Sequence, residues 1–333
     1  MKEPKVTIII PFKELSRLVE KCIEKCLNLN YKNYDVLLLP DKKLKNKFKK
    51  CKIISTGPIY PSEKRNIGIE KSDCEICAFI DSDAYPVSKN WISNAVKFFD
   101  YTNIGAVGGP NLVPEDSSLL EKASADVIYS KLCAGGNYPI RRYKVKGTYE
   151  YREIASSNLF VRRELLKKIG GFDPHQLTSE DSKLCFQINK LGKKVIFVPD
   201  VAVYHKRRRL FWPHTKRVFI EGRNKAFIFK EIFSFDKFFY FFPSLFVLGL
   251  IFGFILSFLF EIIKWIYMTI ILLYLLLVLI ESLRLKPFKR ALIVFIGIIS
   301  THLSYGSGFI KGLFTNKHNL KKKSQLKNIK EQK

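Results

Sequence analysis

The sequence predicts an α/β domain with a mainly parallel sheet, followed by C-terminal transmembrane helices. Up to about residue 235, short apolar runs alternate with amphipathic stretches of helical spacing. This alternation is typical of a parallel sheet whose strands are covered by helices on both faces. Beyond that point long uncharged apolar runs follow, and about 20 such residues suffice to cross a bilayer.

The apolar runs define the predicted strands, and the amphipathic stretches define the predicted helices. The strands cover residues 6–10, 35–39, 53–55, 76–80, 104–108, 155–160 and 195–198. The helices cover residues 15–27, 64–71, 91–99, 163–169 and 182–191, with Trp91 expected in the core. In such sheets ligands bind at the carboxyl ends of the strands, where the strand order switches.

Composition narrows the class of protein. The 333 residues carry a formal charge of +27, yet 47% of them are hydrophobic. A basic and apolar chain suits a membrane surface, an anionic substrate or nucleic acid. The seven cysteines have no regular spacing, which argues against a disulfide framework and favours a reducing compartment. Cys74 and Cys77 form a C-x-x-C without a second pair, so a structural role is favoured over zinc or redox chemistry.

The predicted organisation has three parts. Residues 1–230 form a cytoplasmic domain, because the apolar run 6–10 is too short for the core of a signal peptide. Residues 231–314 form a membrane region with spans at about 238–260 and 262–280, joined by a tight turn at 261–264. A third segment, 291–313, either spans or re-enters the membrane, and residues 315–333 form a basic disordered tail.

Charge tests this topology. The basic stretch 281–290 should be cytoplasmic, which agrees with two spans after a cytoplasmic domain. A third full span would place the basic tail outside, against the same rule. A re-entrant third segment removes that conflict, and both alternatives stay open.

The stretch FIDSDAYP ends the fourth predicted strand with two carboxylates. Asp81 and Asp83 lie at i and i+2, so on an extended backbone both side chains point to one face. Carboxylates held that close repel each other unless a cation lies between them. Mg²⁺ or Mn²⁺ would bind them together with substrate phosphate oxygens. The alternative is a solvated turn whose aspartate caps the next helix, but the strand-end position favours the metal.

Three stretches of the sequence resemble conserved blocks of a known family and occur in the same order. They are VTIIIPFKE, EKRNIGIEKSDCEICAFIDSDAYP and GGFDPHQLTSEDSKLCFQINKLGKKVIFVPDVAVYHKRR. The chain resembles the inverting glycosyltransferases of family 2, which have the GT-A nucleotide-diphospho-sugar transferase fold. The resemblance runs from Val6 to about Arg223, and three blocks are far more specific than any one of them.

The resemblance implies a nucleotide-sugar site at the strand ends. Its residues would be Pro11, Phe12, Glu14, Asp41, Arg65, Asp81, Ser82 and Asp83. Glu14 would border the base or ribose, and Asp41 would bind the uracil edge. The sequence LLLPDKK stands where many members have two aspartates followed by Gly-Ser, so that match is partial.

The resemblance also implies the catalytic and acceptor residues. Asp181 would be the general base, which a single displacement with inversion requires, and Glu180 would support it. A simple N-cap by Thr178, Ser179 or Asp181 is the alternative. His205 would lie near the metal and diphosphate, as a third ligand or as a packing residue. The acceptor and diphosphate side would comprise Ser157, Asn158, Arg217 and Arg223.

The implied protein is a multi-pass cell-membrane glycosyltransferase with a cytoplasmic catalytic domain. It would move a sugar, expected from a UDP-sugar, to a lipid-linked or membrane-proximal glycan in envelope polysaccharide assembly. The lack of a Gln-x-x-Arg-Trp motif argues against a cellulose-synthase-like polymerase. A sugar nucleotidyltransferase would need a Gly-rich loop that PFKELSRLVEK lacks. A membrane scaffold binding anionic lipid or nucleic acid is the other alternative, and nucleic acid is not an expected partner of the enzyme.

Overall fold

The computed structural model describes residues 3–44, 48, 50–134, 147–150, 153–176, 178–231, 238, 240–285 and 288–316. Within these residues the chain packs as two compact units. The first is drawn from Met1–Pro114 and Arg142–Lys206, and the second from Glu115–Arg141 and Arg207–Leu320. From residue 317 on, the predicted basic tail lies outside the described residues.

The first unit is built on two sheets. Its described strands are β1 (Val6–Pro11), β2 (Tyr34–Leu39), β3 (Cys51–Ile53), β4 (Ile76–Ile80), β5 (Ala84–Pro86), β6 (Ile104–Gly108), β7 (Asn111–Leu112), β8 (Tyr149–Glu150), β9 (Asn158–Arg162), β10 (Lys194–Phe197) and β11 (Val203–His205). The large sheet has the order β3-β2-β1-β4-β9-β6-β10-β8, and the small sheet has the order β5-β11-β7. Strands β3, β2, β1 and β4 pair in parallel, and β9 runs antiparallel between β4 and β6. The predicted α/β fold with a mainly parallel sheet is confirmed.

The described helices complete both units. They are α1 (Arg17–Leu27), α2 (Pro61–Lys71), α3 (Trp91–Val96), α4 (Leu119–Ile128), α5 (Lys131–Ala134), α6 (Arg163–Ile169), α7 (Glu180–Lys190), α8 (Trp212–Glu231), α9 (Phe242–Ser257), α10 (Glu261–Arg284) and α11 (Ala291–Leu313). The second unit contains α4, α5 and α8 to α11.

Side chains point alternately to the two faces of the large sheet along each strand, and a hydrophobic core forms on each face. In β1, Ile8 and Ile10 pack with residues of α1 and α3, whereas Ile9 packs with residues of α2, α6 and α7. Trp91 begins α3, is fully buried, and donates from Nε1 to Oδ1 of Asn158 at 3.0 Å. The expected core position of Trp91 is therefore confirmed.

Two element boundaries differ from the prediction next to the strand ends. The strand expected from residue 155 begins at Asn158, because a turn closed by the Asn158 N–H and the Ala155 carbonyl precedes it at 3.0 Å. The helix expected from residue 182 begins at Glu180. Both predicted acidic residues, Glu180 and Asp181, therefore lie in the first turn of α7.

A buried histidine holds three helices of the second unit together. His214 on α8 lies with Nδ1 3.1 Å from Oγ of Ser124 on α4 and with Nε2 2.9 Å from Oγ1 of Thr301 on α11. Burial lowers the pKa of His214 to about 4. The ring is therefore neutral at pH 7, with one nitrogen donating and the other accepting.

Helices α8 and α11 approach each other closely through glycines. A Cβ on Gly308 would lie 2.1 Å from the Phe219 carbonyl oxygen, and a Cβ on Gly222 would lie 2.3 Å from that of Tyr305. No other residue fits such contacts without moving a backbone. Because α8 packs in this way against α11, the observed division of the chain near Arg207 differs from the predicted domain boundary at residue 230.

Among the described residues, two segments are long and apolar enough to cross a membrane, Glu261–Arg284 and Phe288–Leu313. Within the span predicted over 238–260, the described helix α9 is shorter and has 16 residues. That is about 24 Å of helix, short of a hydrocarbon core of about 30 Å. The turn predicted at 261–264 lies instead before Glu261, where α10 begins. The third segment forms the helix α11 over Ala291–Leu313, and whether it spans or re-enters the membrane stays a prediction.

Candidate active site

Two carboxylates and an imidazole converge beyond the C-terminal end of β4. Asp81 and Asp83 follow β4, and the turn containing Ser82 closes with the Ala84 N–H bonded to the Asp81 carbonyl at 3.0 Å. Strand β11 pairs with β5 so that His205 lies opposite Ala84. Nε2 of His205 is 3.2 Å from Oδ1 of Asp83. One ligand atom from each of Asp81, Asp83 and His205 lies within 4.8 Å of the other two.

This group of side chains fits a divalent cation. Carboxylate oxygens suit Mg²⁺ and Mn²⁺, and an imidazole nitrogen is an accepted further ligand for transition metals. All three residues are half-buried, and 44% of the Asp83 side chain is exposed. Water or phosphate oxygens can therefore reach the same point and complete a coordination shell. The predicted use of Asp81 and Asp83 as a pair is consistent with this geometry.

Arg65 joins the two acidic motifs of the sequence. Its side chain on α2 is 3% exposed. It donates from Nη2 to Oδ1 of Asp81 at 2.7 Å and from Nη1 to Oε1 of Glu180 at 2.8 Å. Burial acts to lower the pKa of Arg65, but Asp81 and Glu180 together outweigh it and raise that pKa above its usual value. Arg65 is thus a permanent cation that positions both carboxylates, and its predicted place beside the nucleotide stays a prediction.

Lys64 closes the ends of β1 and β2. Its ammonium donates to the Phe12 carbonyl, to the Leu39 carbonyl at 3.1 Å and to Oδ1 of Asp41. The side chain is 3% exposed. Burial lowers the pKa of Lys64, and the charge of Asp41 opposes that shift. One oxygen of Asp41, the residue predicted to bind the base edge, is therefore bound to Lys64.

The other predicted nucleotide residues differ in exposure. Pro11 and Phe12 are buried where β1 ends. Glu14 lies just beyond, is 75% exposed, and is 3.6 Å from the ammonium of Lys42. Glu14 is therefore accessible to a ligand, whereas Pro11 and Phe12 shape the strand end through the backbone.

Asp181 is fixed by backbone N–H groups at the start of α7. Its Oδ2 accepts from the Ser156 N–H at 3.1 Å, and its Oδ1 accepts from the Ser182 N–H at 2.8 Å. The residue before the helix, Ser179, has φ of 60° and makes no side-chain cap. A left-handed serine is strained, and such strain often marks functional sites. The alternative N-cap by Ser179 is not observed.

Two of the predicted acceptor residues, Asn158 and Ser157, are buried. Asn158 is fully buried, and its side chain bonds Trp91, the Val201 carbonyl at 2.6 Å and the Pro110 carbonyl. These hydrogen bonds connect β9 to α3 and to two loops, and the predicted contact of Asn158 with the acceptor stays a prediction. Ser157 is also buried, and its Oγ accepts from Nδ2 of Asn111 at 3.0 Å.

Arg217 and Arg223 both lie on α8, in the second unit. Both side chains are half-buried. Nε of Arg223 donates to Oδ1 of Asn224 at 3.4 Å, and burial lowers the pKa of Arg223. Their role on the acceptor or diphosphate side stays a prediction.

Sequence reasoning missed two residues that organise the site. Lys64 precedes Arg65 in EKRN, and a lysine in a helix gives no sign that it will be buried. Ser156 acts through its backbone N–H, which no side-chain pattern reveals. The only signal for Lys64 was its position beside a residue already assigned to the site.

We expect Arg65→Met to destabilise the first unit strongly. The change leaves Asp81 and Glu180 facing each other without a counter-charge, and removing one partner of a buried ion pair costs about 3–5 kcal/mol. Because Asp81 is about one-third exposed, water screens part of its charge, and the lower end of this energy range applies. Thermal unfolding should show a fall in Tm of roughly 6–12 °C.

A double-mutant cycle distinguishes this electrostatic cause from lost packing. In a Glu180→Gln background, Arg65→Met should cost markedly less, because one of the two uncompensated charges is already gone. Equal losses of Tm in both backgrounds would contradict the charge-bridging role of Arg65.

Comparison with known proteins supports one family. Residues 76–280, well over half of the chain, match the family described as "Glycosyl transferase family group 2". The chain is 24% identical over 221 residues to the glycosyltransferase AglE of Haloferax volcanii, covering 62% of this chain and 68% of that protein. It is 23% identical over 224 residues to the O-antigen biosynthesis protein RfbC of Myxococcus xanthus, covering 61% of this chain but only 17% of that relative's length.

A solved structure supports the fold. The mannosyltransferase PcManGT from Pyrobaculum calidifontis, solved in complex with GDP-Man and Mn²⁺, aligns with a TM-score of 0.52. The identity is 17%, and the alignment covers 71% of this chain and 67% of that one. At this identity the likeness shows the fold alone.

The sheet topology and this likeness define a GT-A-like α/β fold. The chain belongs to glycosyl transferase family group 2. The family and the enzyme class predicted from the three sequence blocks are thereby confirmed.

Proposed function

We propose that this chain transfers a sugar from a nucleotide-diphospho-sugar to a hydroxyl group of a glycan acceptor, with inversion at the anomeric carbon. The observation that carries the proposal is the Arg65 bridge. It brings Asp81, from the predicted metal motif, and Glu180, beside the predicted base, into one site. UDP is the expected nucleotide, and GDP is the second candidate.

The donor would lie at the ends of β1, β2 and β4. A divalent cation, Mg²⁺ or Mn²⁺, held by Asp81, Asp83 and His205 would offset the negative charge of the diphosphate leaving group. Arg65 orients the Asp81 carboxylate, and Lys64 fixes the loop ends around Asp41. The donor pocket is therefore organised by buried cations before any ligand binds, which lowers the cost of ordering it on binding.

Asp181 would take the proton from the acceptor hydroxyl. Two backbone N–H groups hold its carboxylate at the start of α7, and the helix dipole favours its ionised form. Hydrogen bonds from backbone groups fix the orientation but leave further lone pairs on each oxygen. Arg65, through Glu180, restrains the same helix turn and so holds the base relative to the donor side.

The acceptor in this proposal is lipid-linked or close to the membrane. The support is the length and apolar character of Glu261–Arg284 and Phe288–Leu313. The basic stretch between them suits the cytoplasmic side, which would place the catalytic domain there, at the cell membrane. The O-antigen role in the name of the Myxococcus relative is consistent with assembly of an envelope polysaccharide.

The test is a donor screen with the full chain in detergent. UDP-, GDP- and dTDP-sugars are offered with Mn²⁺ or Mg²⁺, polyprenyl-linked glycans serve as acceptors, and product configuration is read by NMR. The proposal predicts metal-dependent transfer with inverted configuration from one nucleotide class. A product with retained anomeric configuration would contradict the proposal. Sugar transfer that continues unchanged in the presence of a metal chelator would also contradict it. If none of the nucleotide-sugars reacts but the protein binds vesicles of anionic lipid, the alternative of a non-catalytic membrane scaffold is favoured.

A further inference from the structure

Two cysteines lie in contact at the end of β4 opposite to Asp81. Cys74 stands just before the strand, Cys77 lies within it, and their Sγ atoms are 3.6 Å apart. Cys77 has no exposed surface, whereas Cys74 is half-buried. A solvent-borne reagent can thus reach only the first of the two sulfurs.

We infer that Cys74 and Cys77 are a redox-active dithiol that closes to an intrachain disulfide by exchange with a small-molecule disulfide of the glutathione type, with Cys74 attacking first. The role is independent of sugar transfer and departs from the structural role favoured by the sequence. The asymmetric exposure of two sulfurs in contact carries it, since exchange needs one accessible attacking thiol and one resolving thiol within reach.

The surroundings of the pair support this order of attack. The hydrogen bond from Cys77 lowers the pKa of Cys74 to about 7, with Arg163 contributing in the same direction and burial opposing both. The pKa of Cys77 is raised, first by its hydrogen bond to Cys74 and then by burial, with Asp35 adding to the effect.

The charged neighbours of Cys74 in the chain, Asp73 and Glu75, both contact Lys5, which precedes β1. Lys5 lies 3.2 Å from Asp73, and Oε1 of Glu75 accepts from the backbone N–H of Lys5 at 3.3 Å. Asp73 and Glu75 flank Cys74 in the chain and disfavour its thiolate, but Lys5 partly offsets them. Cys74 therefore remains the more reactive of the two sulfurs.

The exchange proceeds in two balanced steps. The Cys74 thiolate attacks one sulfur of the external disulfide, forms a mixed disulfide and releases one thiolate. Cys77 then gives its proton to a departing thiolate and attacks the Cys74 sulfur, which releases the second small thiol. The two cysteines lose two electrons in total, and the external disulfide gains them.

Alkylation rates test the first step, with Cys51 as an internal control. Both Cys51 and Cys74 are half-buried, but burial raises the pKa of Cys51 to about 11. At pH 7 a much larger fraction of Cys74 than of Cys51 is thiolate, but the thiolate of lower pKa is the weaker nucleophile. Cys74 should therefore react with iodoacetamide on the order of 100-fold faster than Cys51. Site-resolved mass spectrometry measures both rates in one sample of folded, full-length protein. Equal rates would overturn the assignment of Cys74 as the attacking thiol.

Oxidation with glutathione disulfide tests the second step. Trypsin cleavage after Lys71 and Lys89 releases both cysteines on one peptide, so the closed disulfide appears as a loss of two hydrogens from that peptide. In Cys77→Ser, Cys74 should stop at the mixed disulfide with glutathione. In Cys74→Ser, Cys77 should stay unmodified because it is buried. A wild-type peptide that keeps its full mass, or that ends as the mixed disulfide, would overturn the proposal.

Discussion

We expect Asp181→Asn to lower kcat for sugar transfer by about 10²–10⁴-fold, the usual contribution of a general base. Asparagine keeps the shape of the side chain and can still accept one of the two backbone hydrogen bonds. Donor affinity should stay unchanged, because the predicted donor ligands lie on other elements. Steady-state kinetics with a saturating acceptor, together with the Kd of the nucleotide, measure both quantities.

Glu164→Gln provides a matched control for this variant. Glu164 is an exposed acid in the first turn of α6, so its loss removes a similar interaction with a helix dipole. It should leave kcat unchanged. If Asp181→Asn and Glu164→Gln behave alike, Asp181 is a helix-end charge and the assignment of the base is wrong.

The second large effect is expected from Asp83→Asn. The change removes one of two carboxylates of the predicted metal site, and metal stabilisation of a leaving group contributes several kcal/mol. Transfer should therefore fall by at least about 10³-fold, and added Mn²⁺ should restore part of it if the site is only weakened. Asp83 is a better probe than Asp81 because Asp81 also pairs with Arg65.

Asp73→Asn is the control at the opposite end of the same strand. Asp73 is 98% exposed and pairs only loosely with Lys5 at the surface, so transfer and its metal dependence should not change. An Asp83→Asn enzyme that keeps wild-type activity in the presence of chelator would contradict a metal role for this carboxylate.

The sequence was a sound guide to the strand ends. Parallel strands meet at one edge, so Asp81 and Asp83 after β4 and Asp41 after β2 could be placed near each other without coordinates. His205 was assignable through the family blocks alone. Its position opposite Ala84 depends on the pairing of β11 with β5, which no local pattern encodes.

Two of the differences from the prediction arise from packing over long distances. Asn158 was assigned to the acceptor side through the family resemblance, and its hydrogen bond to Trp91 on the distant helix α3 could not be read from the sequence. The close approaches of Gly222 to Tyr305 and of Gly308 to Phe219 bind α8 to α11, and neither glycine marks a boundary in the sequence. Helix α9 was overestimated because its apolar run continues into the turn before Glu261, and hydropathy does not distinguish helix from turn.

The most direct test is calorimetric titration of the detergent-solubilised full chain with UDP and, separately, with GDP. Each titration is run with Mn²⁺ and with EDTA, on the wild type and on Asp83→Asn. A donor site at the end of β4 predicts that one nucleotide binds in the presence of Mn²⁺, that EDTA abolishes the heat of binding, and that Asp83→Asn abolishes it as well. Nucleotide binding that persists in EDTA and in Asp83→Asn would contradict a metal-assisted donor site formed by Asp81, Asp83 and His205.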